Sequence, residues 1–239
     1  MERFACVTGT DKGLGFELVK VLLNHGYVVF AGRYLKESTD LEHLKIEYPH
    51  KLHVVEMDNS SDLSVKAACN YIAAQTDKLD ILINNAGILG NIESTVEDEL
   101  DFDEMQRVYN VNTLGALRVS NSFIKLILNS EYKLIVNITS EAGSIGNCYR
   151  HSWFAYCMSK AALNMQATII HNQIEKKGGQ VLLIHPGHMK TFMRGKLDEA
   201  ATLTPEFSAE HIMKIIVEHE KYKAEKPAYI DIYGDVLSW

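Results

Sequence analysis

The chain has 239 residues, 46% of them hydrophobic, and a net charge of −7. A chain of this length buries a full core, and one α/β domain spanning residues 1–239 is the expectation. Its 31 Asp and Glu outweigh 24 Lys and Arg that form no basic stripe, which excludes nucleic acid and anionic membrane as expected partners.

The opening stretch MERFACVTG carries charge at once and then reads as a strand, so it lacks the apolar core of a signal peptide. No later apolar run approaches the ~18 residues of a membrane span. Cys6, Cys69, Cys148 and Cys157 form no C-x-x-C pair and read as thiols in a reducing compartment; the expected location is cytoplasmic. In chain order, RFACVT, YVVFAG, KLHVVEM, KLDILIN, KLIVNIT, GQVLLIH and PAYIDIY are short β-rich runs, most of them separated by stretches of helical period. Runs apolar on both faces belong in a sheet covered on both sides, and strand–helix–strand order makes it parallel with right-handed crossovers. The expected fold is a Rossmann-type doubly wound parallel sheet of about seven strands. Residues 93–104, ESTVEDELDFDE, hold seven acids in twelve positions and read as a solvated loop entering a helix N-terminus.

Such sheets bind ligands beyond the carboxyl ends of their strands. After the first strand comes TGTDKGLG: Gly9 suits a tight turn, Gly13 lets a pyrophosphate approach backbone N–H groups, and Gly15 allows close helix–strand packing. With a strand before it and the amphipathic FELVKVLLNHG after it, the turn reads as dinucleotide-binding. The second strand ends at Gly32 and Arg33, where an NAD-selective site usually carries an acid. With Lys12 in the glycine turn, two cations and no acid point to a 2′-phosphate and so to NADP(H). Asn84, Asn85, Ala86 and Gly87 leave the fourth strand as a polar, small-residue exit that can pass close to a flat ligand. Ser140 leaves the fifth strand, and Tyr156 follows sixteen residues later, with Lys160 one helical turn beyond. His185 and His188 lack a neighbouring carboxylate or cysteine to complete a metal set, so no metal is expected. Cys157 adjoins Tyr156 but points about 100° away on a helix and is given no catalytic role.

These motifs, in this order, resemble the short-chain dehydrogenase/reductase family. T-G-x-x-x-G-x-G is met by Thr8, Gly9, Gly13 and Gly15, N-N-A-G by residues 84–87, and V-N-x-x-G by Asn112. Ser140 stands as the family's serine, Tyr156 and Lys160 as Y-x-x-x-K, and Pro186, Gly187 and Thr191 as P-G-x-x-x-T. Within the family the chain resembles the C-factor and sniffer-type carbonyl reductases, through GSIGN after the serine, AYCMSKAALNM around the pair and GDVLSW near the end. It departs from them at Cys157, where an arginine is expected, and at RHSWF, which replaces a glycine-rich stretch and bears on the substrate pocket.

The resemblance implies reversible hydride transfer between NADP(H) and a ketone or aldehyde. Tyr156 would be the acid, Ser140 would orient the carbonyl oxygen, Asn112 would support a water in the proton relay, and Lys160 would hold the nicotinamide ribose. Lowering a phenol from its ordinary pKa of about 10 toward 7 requires roughly 4 kcal/mol of phenolate stabilisation, assigned to the Lys160 charge. Cofactor contacts are implied at Gly9, Lys12, Gly13, Leu14, Gly15, Arg33, Asp58, Asn59, Asn85, Ala86, Gly87, Tyr156, Lys160, Pro186, Gly187, Met189 and Thr191. The partners implied are a small carbonyl or alcohol substrate and further copies of the chain, as a homodimer or homotetramer. A reading from another class keeps the dinucleotide site in a sensor or signalling protein with little turnover. The intact set Asn112, Ser140, Tyr156 and Lys160 favours turnover.

Overall fold

The computed structural model describes residues 2–239. Seven strands, β1 (Phe4–Thr8), β2 (Val28–Arg33), β3 (Leu52–Glu56), β4 (Ile81–Asn84), β5 (Leu134–Ile138), β6 (Gln180–His185) and β7 (Ala228–Asp231), form one sheet in the order β3-β2-β1-β4-β5-β6-β7. Every neighbouring pair is parallel. The α-helices between them are α1 (Gly13–Asn24), α2 (Asp40–Glu47), α3 (Asp62–Ala73), α4 (Phe102–Tyr109), α5 (Ala116–Leu128), α6 (Phe154–Ile174) and α7 (Pro205–Val217).

Alternation along the strands supplies two cores at once. Ala5, Val7, Val29, Ala31, Ile81 and Ile83 pack with the apolar stripes of α1, α2 and α7. Cys6, Phe30, Leu82 and Ile135, one residue out of phase, pack with those of α3, α5 and α6. Each such aliphatic side chain contributes about 1.5–3 kcal/mol on burial, so strands apolar on both faces are stable only in this three-layer arrangement.

The chain steps outward from β1 to β3, then returns to pair β4 with the other side of β1, Val7 opposite Ile83. Connections therefore leave β1 and β4 in opposite directions and open a crevice at their carboxyl ends. The acidic stretch at 93–104 does run into a helix N-terminus: Asp101 accepts from the Glu104 N–H at 2.9 Å, with Asp103 and Glu104 in the first turn of α4. Between α4 and α5, residues Asn110–Gly115 form a π-helical turn that sequence periodicity does not reveal. No helix among the described residues is long and apolar enough to cross a membrane.

Candidate active site

The glycine turn and the β4 exit are bonded to each other. Thr8 Oγ1 accepts from the backbone N–H of Asn85 and Ala86, both at 3.1 Å, and Asn85 Nδ2 donates to the carbonyls of Thr8 and Gly9 at 2.9 and 3.0 Å. Gly9 has φ +66, and a Cβ there would stand 2.8 Å from the Ala86 backbone. A Cβ on Gly15 would meet the Gly9 carbonyl at 2.1 Å. The first turn of α1 carries no acid, so its free N–H groups face the crevice with the positive end of the helix dipole. This closely packed, unblocked cradle fits a pyrophosphate, and a dinucleotide would lie along it past residues 85–87.

The cleft, about 1510 Å³, is lined by Gly9, Lys12, Gly13, Leu14, Gly15, Asp58, Asn59, Asn85, Ala86, Gly87, Ser140, Tyr156, Lys160, Pro186, Gly187, Met189 and Thr191. Of the residues expected at the site, Asn112 and Arg33 stand outside this lining. Asn112, 1% exposed in the π-helical turn, accepts from the Ile88 N–H and donates to the Ile88 carbonyl, each at 2.8 Å, and donates to Ser159 Oγ at 3.0 Å. It ties the β4 exit to α6, and its Oδ1 reaches within 3.3 Å of where a Cβ on Gly87 would stand. The Lys160 ammonium lies 3.8 Å from the same point.

Arg33 Nη1 is bonded to Glu42 at 2.7 Å, and Lys12 Nζ lies over the Phe192 ring, 5.7 Å from its centroid. The expectation of two cations and no acid needs correction, because Asp11 lines the cleft and its carboxylate accepts from the N–H groups of Tyr34 and Leu35, the residues that follow β2. The carboxylate at this end of the cleft comes from the glycine turn and not from the end of β2.

Ser140 closes the carboxyl end of β5. Its Oγ accepts from the Ala142 N–H at 3.1 Å, capping the 3₁₀ turn Glu141–Gly143, while its carbonyl accepts from the buried Tyr229 hydroxyl at 2.7 Å. Tyr156 and Lys160, 8% and 3% exposed, rise from the first turns of α6. Lys160 Nζ donates to the Ile138 carbonyl at 2.8 Å and lies 5.6 Å from the Tyr156 ring centroid.

The proton affinities differ from expectation. Burial pushes the Tyr156 phenol up to about 12, against a hydrogen bond from Ser140 that draws it down; Glu141 adds to the rise and Arg150 opposes it. Burial brings the Lys160 ammonium down to about 8. The lysine therefore does not hold the phenol near 7, since the desolvation that raises one group lowers the other. Tyr156 stays protonated at neutral pH, which is the form a proton donor needs.

Residues overlooked in the sequence frame the opening. Arg150 grips Glu141 with both terminal nitrogens, at 2.6 and 3.0 Å, and its guanidinium lies 5.0 Å from the Trp153 ring centroid. Trp153 has φ 71, a left-handed conformation rare for an aromatic, and its ring meets that of Tyr156 edge-on at 6.1 Å. The departure RHSWF was the available signal. A carboxylate also reaches His188, where Asp198 Oδ2 lies 2.9 Å from Nε2, while His185 ends β6 in the cleft lining with a buried, unpartnered Nδ1. No group of three or more His, Cys, Asp or Glu side chains suited to a metal occurs among the described residues.

The short chain dehydrogenase family profile matches residues 3–202. This chain belongs to the short-chain dehydrogenase family. An uncharacterized oxidoreductase of Schizosaccharomyces pombe is 34% identical over 187 residues, covering 77% of this chain and 73% of its own. The NADPH-bound carbonyl reductase from chicken fatty liver has 29% identity, a TM-score of 0.88, and coverage of 100% of this chain and 99% of its own. The carbonyl reductase Sniffer of D. melanogaster, at 24% identity and TM-score 0.89 with both chains fully covered, shares the fold. As a short-chain dehydrogenase, the protein is an oxidoreductase built on the seven-stranded parallel sheet.

Proposed function

We propose that the protein is a nicotinamide-dependent reductase of ketones or aldehydes, with NADPH as a cofactor and Tyr156 as the proton donor. The observation that carries this is the convergence of Ser140, Tyr156 and Lys160 on one cleft with the glycine cradle. NADPH is supported by Arg33 at the end of β2 and by the NADPH bound to the chicken carbonyl reductase.

A nicotinamide, when bound, supplies the hydride. Negative charge then develops on the carbonyl oxygen, and the chain must meet it with a proton and hydrogen bonds. Tyr156 holds its proton at the phenolic oxygen, and the Ser140 hydroxyl, bonded to it, orients the carbonyl oxygen between the two. Lys160, beside Gly87 and the Tyr156 ring, would hold the ribose and, when charged, stabilise the phenolate left by proton transfer. Asn112 fixes the Ile88 backbone to α6 and so keeps the cleft wall in place. Trp153, Leu89 and Ala142 pack around Tyr156 and exclude water from it.

Tyr156→Phe tests the reading. NADPH oxidation by a panel of ketones and aldehydes should fall by about 10²–10⁴-fold, the usual contribution of a positioned acid, while NADPH binding by fluorescence titration is retained. Turnover within a few-fold of wild type would remove Tyr156 from the role.

A further inference from the structure

The end of the cleft beside β2 is richer in carboxylates than its sequence motif suggests. Asp11, 8% exposed, fastens the backbone of Tyr34 at 3.0 Å and of Leu35 at 2.6 Å, and its own carbonyl accepts from Ser38 Oγ at 2.8 Å. Asp40, at the start of α2, lines the same end. The cations there have other partners: Arg33 is bonded to Glu42, Lys36 to Glu56 at 3.1 Å, and Lys12 lies over Phe192. Arg33 Nε is buried with no partner, so its fork is only partly used.

In this fold the residues after β2 read the adenosine ribose, where an acid accepts from a 2′-hydroxyl and an arginine receives a 2′-phosphate. Both kinds of group are present here. We propose that Asp11, together with Glu42, restrains the preference for NADPH, so that the site takes NADH with comparable affinity. The inference rests on the dinucleotide reading and refines its cofactor. A carboxylate bonded to the N–H groups of residues 34 and 35 occupies donors that a phosphate would use, and repels the phosphate's charge. Its second oxygen, with only the longer 3.2 Å contact to Tyr34, keeps lone pairs for a ribose hydroxyl. Glu42, bonded to Arg33, competes with the phosphate for that guanidinium.

The test is direct binding to the intact protein by calorimetry at fixed ionic strength, with NADPH, NADH, adenosine 2′,5′-bisphosphate and AMP. Wild type should bind NADPH and NADH within about tenfold of each other. Asp11→Asn keeps an oxygen for the two N–H groups and removes the charge, so NADPH and the bisphosphate should tighten by about tenfold while NADH and AMP do not. Glu42→Gln, on the exposed side of α2 and away from the turn, should tighten the same two ligands by a few-fold and carries the test if Asp11→Asn melts early. Unchanged or weaker NADPH binding in a folded Asp11→Asn, or a wild type that already prefers NADPH by about a hundredfold, would overturn the proposal. Failure of all four ligands to bind would instead remove the dinucleotide reading on which it rests.

Discussion

Lys160, assigned above to the proposed catalytic set, shows what a buried side chain can take from a fold. Its ammonium is 3% exposed, hydrogen-bonded to the Ile138 carbonyl, and brought from an ordinary 10.5 to about 8 by burial. Below pH 8 the group is charged in both folded and unfolded chains, and the folded state bears the full desolvation penalty. Between pH 8 and 10.5 the unfolded chain holds the proton that the folded chain has lost, so this contribution makes stability climb with pH. Lys160→Met should therefore stabilise the protein at pH 7 by ~2 kcal/mol, after subtracting the lost hydrogen bond, while abolishing turnover. Urea unfolding of both proteins from pH 6 to 10.5 checks it; the gain should fade across the upper half of that range, and a mutant less stable at pH 7 would contradict it. The positions of Tyr156 and Lys160 were legible in Y-x-x-x-K, yet their proton affinities were not. Those depend on how much water the packing of Trp153, Leu89 and Ala142 removes.

At the scale of elements, the turn between β1 and α1 illustrates how little freedom a ligand cradle has. Gly15 lies against the Gly9 carbonyl and the Asn85 side chain, which a Cβ would meet at 2.1 and 2.5 Å. Because one neighbour is backbone, Gly15→Ala must push α1 off the sheet. We expect a loss of ~1–3 kcal/mol and NADPH affinity reduced by at least tenfold. Gly195→Ala is the matched control: φ is +79 but nothing stands within 4 Å, so a loss of ~1–2 kcal/mol with unaltered NADPH binding is expected. Thermal melts with a fluorescence titration separate the two, and equal effects on binding would deny the turn its role. The glycines could be read from sequence because their constraint is local. The π-helical turn at Asn110–Gly115 could not, since Asn112 is held by Ile88 and Ser159, 24 and 47 residues away.

Across the whole molecule, the far edge of the sheet is tied to the carboxyl end of β5. Tyr229 on β7 donates its hydroxyl to the Ser140 carbonyl 89 residues earlier, and its ring packs 5.4 Å from that of Trp239. The Trp239 carbonyl in turn accepts from the Gly146 N–H at 2.8 Å, on the segment that follows Ser140. If Ser140 orients the substrate as proposed, Tyr229 positions it. Tyr229→Phe should cost about 1 kcal/mol of stability and lower kcat several-fold, with the cofactor dissociation constant unchanged. Steady-state kinetics beside calorimetry read this split; a loss confined to cofactor binding would place the effect elsewhere.

The amino-acid sequence by itself determined the parallel sheet, its seven strands and the cradle, because apolar period, strand–helix alternation and glycine at strand ends act over a few residues. It also placed Ser140, Tyr156 and Lys160, since strand-end and helix-face positions follow from spacing. Only the tertiary structure decided the charges around them. Asp11 faces the residues after β2, Glu42 holds Arg33, and Glu141 with Arg150 flanks the phenol, all through contacts between segments that spacing does not relate. Electrostatic interaction falls with distance in space and rises with desolvation, and neither quantity exists until the chain has folded.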